Sequence, residues 1–278
     1  MMTAPKRALL IGHPLGHSLS PAFHTAAFHA AGIDATYTLA DVLPPDLAAT
    51  IAGLRASDMY GANVTVPYKQ DVMSFLDALN DEAAALGAVN TIVNDNGSLI
   101  GLNTDVPGFA VDMRAQGIVV AGRSVVLLGA GGAARAVVAA LAGMGVGRLV
   151  IANRTPERAS AIAQQYPTIA TATGITDRDL TDTLPDAALL INATSAGLHG
   201  DEIPIAAQLL DLLPPTAVVY DLIYRPTALL RAARARGLHA VDGLGMLIHQ
   251  GALAWEAWTG QAAPLDVMWQ ATHDARGR

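Results

Sequence analysis

The amino-acid sequence predicts an α/β protein of two domains, each organised around a mostly parallel sheet. Three observations carry that prediction. Short β-branched and apolar runs alternate with alanine-rich helical stretches along most of the chain. A length of 278 residues corresponds to about two domains of ~150 residues. A second strand–helix series opens with a glycine-rich turn directly after an apolar run. With 52% hydrophobic residues there is ample material for two cores.

RALLIG, residues 7–12, reads as a buried strand, and Ser20-Pro21 supplies an N-cap and a first-turn proline for a helix to about residue 31. ATYTLADV (35–42) forms the second strand, 44–56 a helix, and ANVTV (62–66) the third strand. Helical patterns follow at 69–79 and 81–87. VNTIVND and SLIGLN flank Asn96-Gly97, the dipeptide of a two-residue hairpin, which adds an antiparallel edge. A helix over 104–116 then leads into strands at 124–129, 148–153, 187–194, 217–224 and 238–243, with helices between most of them. Helices over 244–258 and near 265–275 complete the chain and are expected to fold back onto the first domain. The expected domains are therefore 1–104, 105–243 and the returning helices 244–278.

A net charge of -7 without a clustered basic stripe argues against nucleic-acid partners and anionic membranes, and leaves small molecules as the expected ligands. The absence of cysteine excludes disulfides, thiolate metal sites and cysteine nucleophiles, and fits a reducing cytoplasm. The apolar run in MMTAPKRALLIGHP is too short for a secretory segment, and no run approaches the ~18 residues of a membrane helix.

VVLLGAGGAARAVVAAL places Gly129, Gly131 and Ala134 in dinucleotide-binding spacing, with Ala130, Gly132 and Ala133 completing the turn. The first glycine allows the tight turn, the second lets backbone approach a pyrophosphate, and the third small residue packs helix against strand. A plain connecting turn is the alternative. About twenty residues on, where an NAD site carries Asp or Glu, stand Asn153, Arg154 and Thr155. Arg154 and Arg158 suit a 2′-phosphate, so NADP is the expected cofactor. Thr155 before Pro156 also reads as a helix cap, and Arg158 as a surface charge.

Only two of the 17 basic residues are lysine, Lys6 and Lys69. Where arginine serves for charge alone, a lysine in GANVTVPYKQ points to acid–base work, because an ammonium gives up its proton far more readily than a guanidinium. A solvated charge is the bland alternative.

Nearly the whole chain resembles the shikimate dehydrogenase family, within the wider shikimate/quinate dehydrogenase group. The resemblance rests on GHPLGHSLSP (12–21), GANVTVPYK (61–69), GAVNT (87–91), NTDVPGF (103–109), GAGGAAR (129–135), NRTPER (153–158), NATSAG (192–197) and DGLGMLIHQ (242–250). It implies an N-terminal substrate domain, a Rossmann domain and a cleft between them that closes over its ligands. The implied reaction is metal-free, reversible reduction of 3-dehydroshikimate to shikimate with NADPH, in chorismate and aromatic amino-acid biosynthesis. Lys69 and Asp105 match the catalytic pair. Ser18 and Ser20, helped by Tyr224, match the hydroxyls that bind the substrate carboxylate, and Thr65, Asn90 and Gln250 match contacts to ring hydroxyls. Gly243 and Met246 match residues near the nicotinamide.

Each of these residues has a structural alternative: Asp105 and Ser20 as helix caps, Asn90 in a turn, Tyr224 and Met246 in a core. Serine at both 18 and 20 looks more like shikimate-selective members than quinate-accepting ones. YRPTALL (224–230) is about two residues shorter than the usual family loop, which bears on the placement of Tyr224. His13 and His17 have ligand-like spacing, but Pro14 and Gly16 disfavour the helix that would align them, so no metal is expected. The rival readings are an enzyme for quinate or an amino analogue, and a catalytically idle NADP-binding regulatory protein. A homodimer stays an open option.

Overall fold

The computed structural model describes residues 5–16 and 18–277. The chain separates into two compact units, Met1–Gly108 with Ile248–Arg278, and Phe109–Leu247.

The first unit holds β1 (Lys6–Gly12), α1 (Ser20–Ala30), β2 (Ala35–Asp41), α2 (Leu47–Gly53), β3 (Met59–Val64), β4 (Ala78–Leu79), α3 (Asp81–Leu86), β5 (Thr91–Asp95) and β6 (Ser98–Leu102). Its sheet runs β2-β1-β3-β5-β6-β4. β1 pairs parallel with β2 and β3, while β5 is antiparallel to β3 and β6. Asn96 and Gly97 both adopt positive φ (52° and 95°), the geometry that a two-residue hairpin demands.

Four expectations here need correction. Residues 69–79 form no α-helix: Asp71–Phe75 is a 3₁₀ turn, followed by β4. Neighbouring segments recruit the backbone groups a helix would use internally, Val89 N–H bonding to the Lys69 carbonyl (2.7 Å) and Asp77 N–H to the Leu99 carbonyl (3.0 Å). The helix expected over 44–56 is a 3₁₀ turn at Pro44–Asp46 and the shorter α2, and β3 lies nearer the N-terminus than 62–66. Ser20 lies inside α1, which has Leu19 at its N-cap without a side-chain cap bond, so Ser20 is not spent on capping.

α4 (Asp105–Ala115) carries the chain into the second unit, which contains β7 (Ser124–Leu128), α5 (Gly132–Gly143), β8 (Arg148–Ala152), α6 (Pro156–Ala163), β9 (Ala170–Thr173), α7 (Asp177–Thr181), β10 (Ala187–Asn192), β11 (Val218–Asp221), α8 (Ala228–Ala235) and β12 (His239–Asp242). Every pairing in its sheet, β12-β11-β10-β7-β8-β9, is parallel. That is the Rossmann order, with the reversal between β7 and β10. β9 escapes the sequence pattern because ATAT is a half-exposed edge strand with no apolar run. β11 ends at Asp221, three residues before the expected limit, so Tyr224 lies in a loop. Between β10 and β11 no α-helix forms. Ile205, Leu209, Leu210 and Leu213 of that connection instead join the core through a 3₁₀ turn.

α9 (Leu244–Thr259) begins in the second unit and continues in the first, where α10 (Leu265–Arg276) packs on α1. Trp258 of α9 donates its indole N–H to the Ile92 carbonyl (3.0 Å). Gly61 permits this approach, since a Cβ there would lie 1.9 Å from that same carbonyl oxygen. Among the described residues no helix is long and apolar enough to cross a membrane.

His24 is fully buried on this face, stacked on Tyr37 at 4.3 Å between centroids and 5.3 Å from Trp258. Neither ring nitrogen has a hydrogen-bond partner. Burial pushes its pKa down to about 3, outweighing the opposing effect of the nearby Asn63 side chain. The unfolded chain therefore binds a proton near pH 6.5 that the folded protein refuses, and stability is lost as pH falls from 6.5 towards 3. Between pH 7 and pH 5 the wild type should lose about 2 kcal/mol from this group alone. Urea unfolding at both pH values is expected to show His24→Phe losing about that much less than wild type; equal losses would contradict the buried neutral imidazole.

Candidate functional site

β1 and β3 run parallel, and Ser18, Ser20 and Thr65 follow their C-terminal ends. β5 runs the other way, so Asn90, just before it, returns to this edge, and Val64 N–H bonds to the Asn90 carbonyl (2.8 Å). β6 reverses again and delivers Asn103, Thr104 and Asp105 beside Asn90, whose N–H bonds to the Leu102 carbonyl (3.1 Å). Alternating strand direction thus gathers residues far apart in sequence at one sheet edge, where α/β folds bind ligands.

Lys69 donates from Nζ to Oδ2 of Asp105 at 2.6 Å, the two side chains being 15% and 8% exposed. Asn90 donates from Nδ2 to Oδ1 of the same carboxylate at 2.8 Å. The Asn90 orientation is not arbitrary, because its Oδ1 accepts from the Thr104 backbone N–H (2.7 Å), which can only donate. Its NH₂ group therefore faces Asp105, the Thr104 hydroxyl (2.9 Å) and Oε1 of Gln250 (3.4 Å). Thr91 and Asn63 extend the network inward, and Tyr37 donates to Asn63 Oδ1 at 2.8 Å. Among the described residues Lys69 makes no second hydrogen bond, so two of its three N–H groups remain available. The arrangement can offer a small polar molecule an ammonium donor and a carboxylate acceptor side by side.

Gln250 reaches this centre because α4 and α9 cross closely at Gly108. A Cβ on Gly108 would fall 2.7 Å from Gln250 Cβ and 2.8 Å from its backbone nitrogen. The Ser18 hydroxyl accepts from the Ser20 N–H (3.2 Å), and the Thr65 methyl abuts Gly12, whose Cβ would come within 2.5 Å. His13 bonds to Asp41 (2.7 Å), and His17 lies outside the described residues.

In the second unit a pocket of about 620 Å³ lies at the β7/β10 reversal. Gly129, Ala130 and Gly131 form one wall, Asn153, Arg154 and Arg158 a second, and Ala193, Thr194 and Ser195 a third. Gly129 has φ +108°, and its Cβ would sit 2.9 Å from the Ala193 carbonyl, so this turn needs glycine. Gly131 is the N-cap of α5; a Cβ there would meet nothing, leaving open space before the free amides of Gly132 and Ala133. An anion with two guanidinium partners fits this donor set. Asn153 donates to the Thr155 carbonyl (2.9 Å), and Thr155 stands at the N-cap of α6 before Pro156, as its cap reading expects, although its side chain makes no cap bond.

The remaining expected residues lie elsewhere in the second unit. Tyr224 stands in a loop held by Thr227 donating to Asp221 (2.7 Å) and by Arg225 bonding to the Gly197 carbonyl, and burial raises its phenol pKa. Gly243 is required by packing, its Cβ position lying 2.1 Å from the Leu222 carbonyl, and Met246 is buried. Sequence reasoning assigned no role to Thr194, Ser195, His199 or Glu202 in the pocket, or to Asn103, Thr91 and Thr104 in the Lys69 centre. NATSAG and NTD carried the signal, but only folding shows what their polar side chains touch.

Comparison with known proteins matches the chain piecewise along its length. Residues 10–92 match the shikimate dehydrogenase substrate binding domain, 113–200 the shikimate/quinate 5-dehydrogenase family, and 243–272 the shikimate 5′-dehydrogenase C-terminal domain. A shikimate dehydrogenase (NADP⁺) of Symbiobacterium thermophilum is 47% identical over 272 residues, covering 95% of this chain and 92% of that protein. The crystal structure of shikimate 5-dehydrogenase from Thermus thermophilus, in complex with NADP(H) and shikimate, superposes with a TM-score of 0.86 at 38% identity, covering 97% and 99% of the two chains. A 5-ketofructose reductase of a Gluconobacter strain superposes at 0.84 with 34% identity, covering 97% and 98%. With 47% identity over 95% of its length and family matches along it, the chain belongs to the shikimate dehydrogenase family.

Proposed function

We infer that the chain is an NADP-dependent shikimate dehydrogenase, an oxidoreductase acting on a CH–OH group, which reversibly reduces 3-dehydroshikimate to shikimate. The observation that carries this reading is the Lys69–Asp105 pair, locked by Asn90 and left, among the described residues, with two unused ammonium donors. The substrate class follows from its family and from the polar residues around the pair. We assign Lys69 and Asp105 as the catalytic residues, Ser18, Ser20 and Tyr224 to the substrate carboxylate, and Thr65, Asn90 and Gln250 to its ring hydroxyls.

NADPH, when bound, supplies the hydride that reduces the ring carbonyl carbon. Lys69 meets the negative charge that grows on the carbonyl oxygen with an N–H and gives that proton to the new hydroxyl, the amine regaining one from solvent. Asp105 keeps the ammonium aimed by its 2.6 Å contact and has lone pairs left to accept from a substrate hydroxyl. Asn90 holds Asp105 in place, and its long 3.4 Å contact to Gln250 is the bond a ring hydroxyl would replace most readily. Gly129, Ala130, Gly131, Gly132 and Ala133 would hold the pyrophosphate, with Asn153, Arg154, Thr155 and Arg158 around the adenosine 2′-phosphate and Gly243 and Met246 towards the nicotinamide.

The Gluconobacter relative shows by its name that the fold also serves a different carbonyl substrate. Shikimate, quinate and 5-ketofructose should therefore be assayed with NADP and NAD, following nicotinamide absorbance. Shikimate with NADP is expected to give the highest kcat/KM. Preference for another substrate would replace the assignment, and inactivity throughout would favour an idle NADP-binding protein. Lys69→Ala should lower kcat by about 10²- to 10⁴-fold with a smaller change in KM; retained turnover would refute its role. Arg154→Ala should weaken NADP by about tenfold or more while leaving NAD within about twofold, read by ligand titration.

A further inference from the structure

α4 starts with its orphan amides already satisfied. The Thr104 carbonyl accepts the first intrahelical bond, from Gly108 N–H (3.0 Å), which makes Thr104 the N-cap. The hydroxyl of such a residue ordinarily bonds to the amide two or three positions on. Here Oδ1 of Asn103 accepts from both Asp105 N–H (3.0 Å) and Val106 N–H (3.3 Å), and Pro107 has no N–H to cap. The Thr104 hydroxyl serves Asn90 and Thr91 instead, and the Asp105 oxygens go to Lys69 and Asn90. Asn103 is itself buried, and its Nδ2 donates to the Ala88 carbonyl (3.0 Å), so both ends of its amide are fixed.

We propose that Asn103 is a positioning residue of the catalytic centre, taking both free amides of α4 so that the Asp105 carboxylate stays on Lys69 and Asn90. The proposal rests on the activity inferred above. Without the Asn103 oxygen, one buried and one partly buried donor at the positive end of a helix lack their acceptor, and the Asp105 carboxylate is an anion beside them. Losing Asn103 turns the catalytic carboxylate into a cap.

The test is a kinetic double-mutant cycle with shikimate and NADP on Asn103→Ala, Asp105→Asn and the variant carrying both, with NADP affinity measured for each. Asn103→Ala is expected to lower kcat by about 10- to 100-fold while NADP affinity stays within about twofold. Asn103→Asp, which keeps an oxygen for the two amides but sets a second acceptor against the Ala88 carbonyl, should recover only part of that loss. In the Asp105→Asn background, Asn103→Ala should cost less than about threefold more, because the carboxylate it protects is gone. Equal losses in both backgrounds, or unchanged kcat in Asn103→Ala, would overturn the proposal. If Asn103→Ala fails to fold, Asn103→Ser, whose shorter side chain reaches one amide at most, takes its place in the same cycle. An inactive wild type would contradict the assigned activity; an active wild type with additive losses would contradict only the role of Asn103.

Discussion

The first unit is organised around one contact, the ammonium of Lys69 against the carboxylate of Asp105 in a nearly buried setting. A charge pair removed from water holds only when its remaining lone pairs and protons are matched, and here a chain of neutral amides and hydroxyls provides the match. Its decisive link is a backbone group. The Thr104 N–H can only donate, so it fixes the Asn90 amide, and Asn90 in turn fixes Asp105. No rotation of a single side chain undoes this order without stranding a buried polar atom.

That contact depends on topology as much as on chemistry. Lys69 leaves the end of β3, Asn90 precedes β5 and Asp105 follows β6, and they meet because the hairpin at Asn96-Gly97 turns the sheet back to the same edge. Two glycines admit the returning helix: Gly61 lets Trp258 reach the sheet, and Gly108 lets Gln250 approach the polar centre. The second unit follows the separate logic of a parallel sheet whose strand order reverses at a pocket, with glycines and a free helix end on one side and guanidinium groups on the other.

Much of this was legible in the sequence. The hairpin, the glycine turn and the strand–helix alternation follow from local chemistry, and Lys69, one of only two lysines, is conspicuous just after Val66-Pro67 in an arginine-rich chain. What escaped depended on partners remote in sequence. The pattern at 69–79 read as helix because nothing local announces that Val89 and Leu99 claim its backbone. β9 escaped because an edge strand needs apolar residues on one face at most. Asp105 had a cap as its alternative reading, and only the position of the Asn103 oxygen shows that Asn103 takes those amides instead.

A crystal structure with shikimate bound would probe the central claim most directly. The account predicts that Lys69 Nζ and the Asp105 carboxylate stay paired and that both lie within hydrogen-bond reach of the substrate's ring hydroxyls, with Asn90 still on Asp105. Shikimate seated away from the pair, or a ligand that parts Lys69 from Asp105 and leaves either facing solvent, would contradict it.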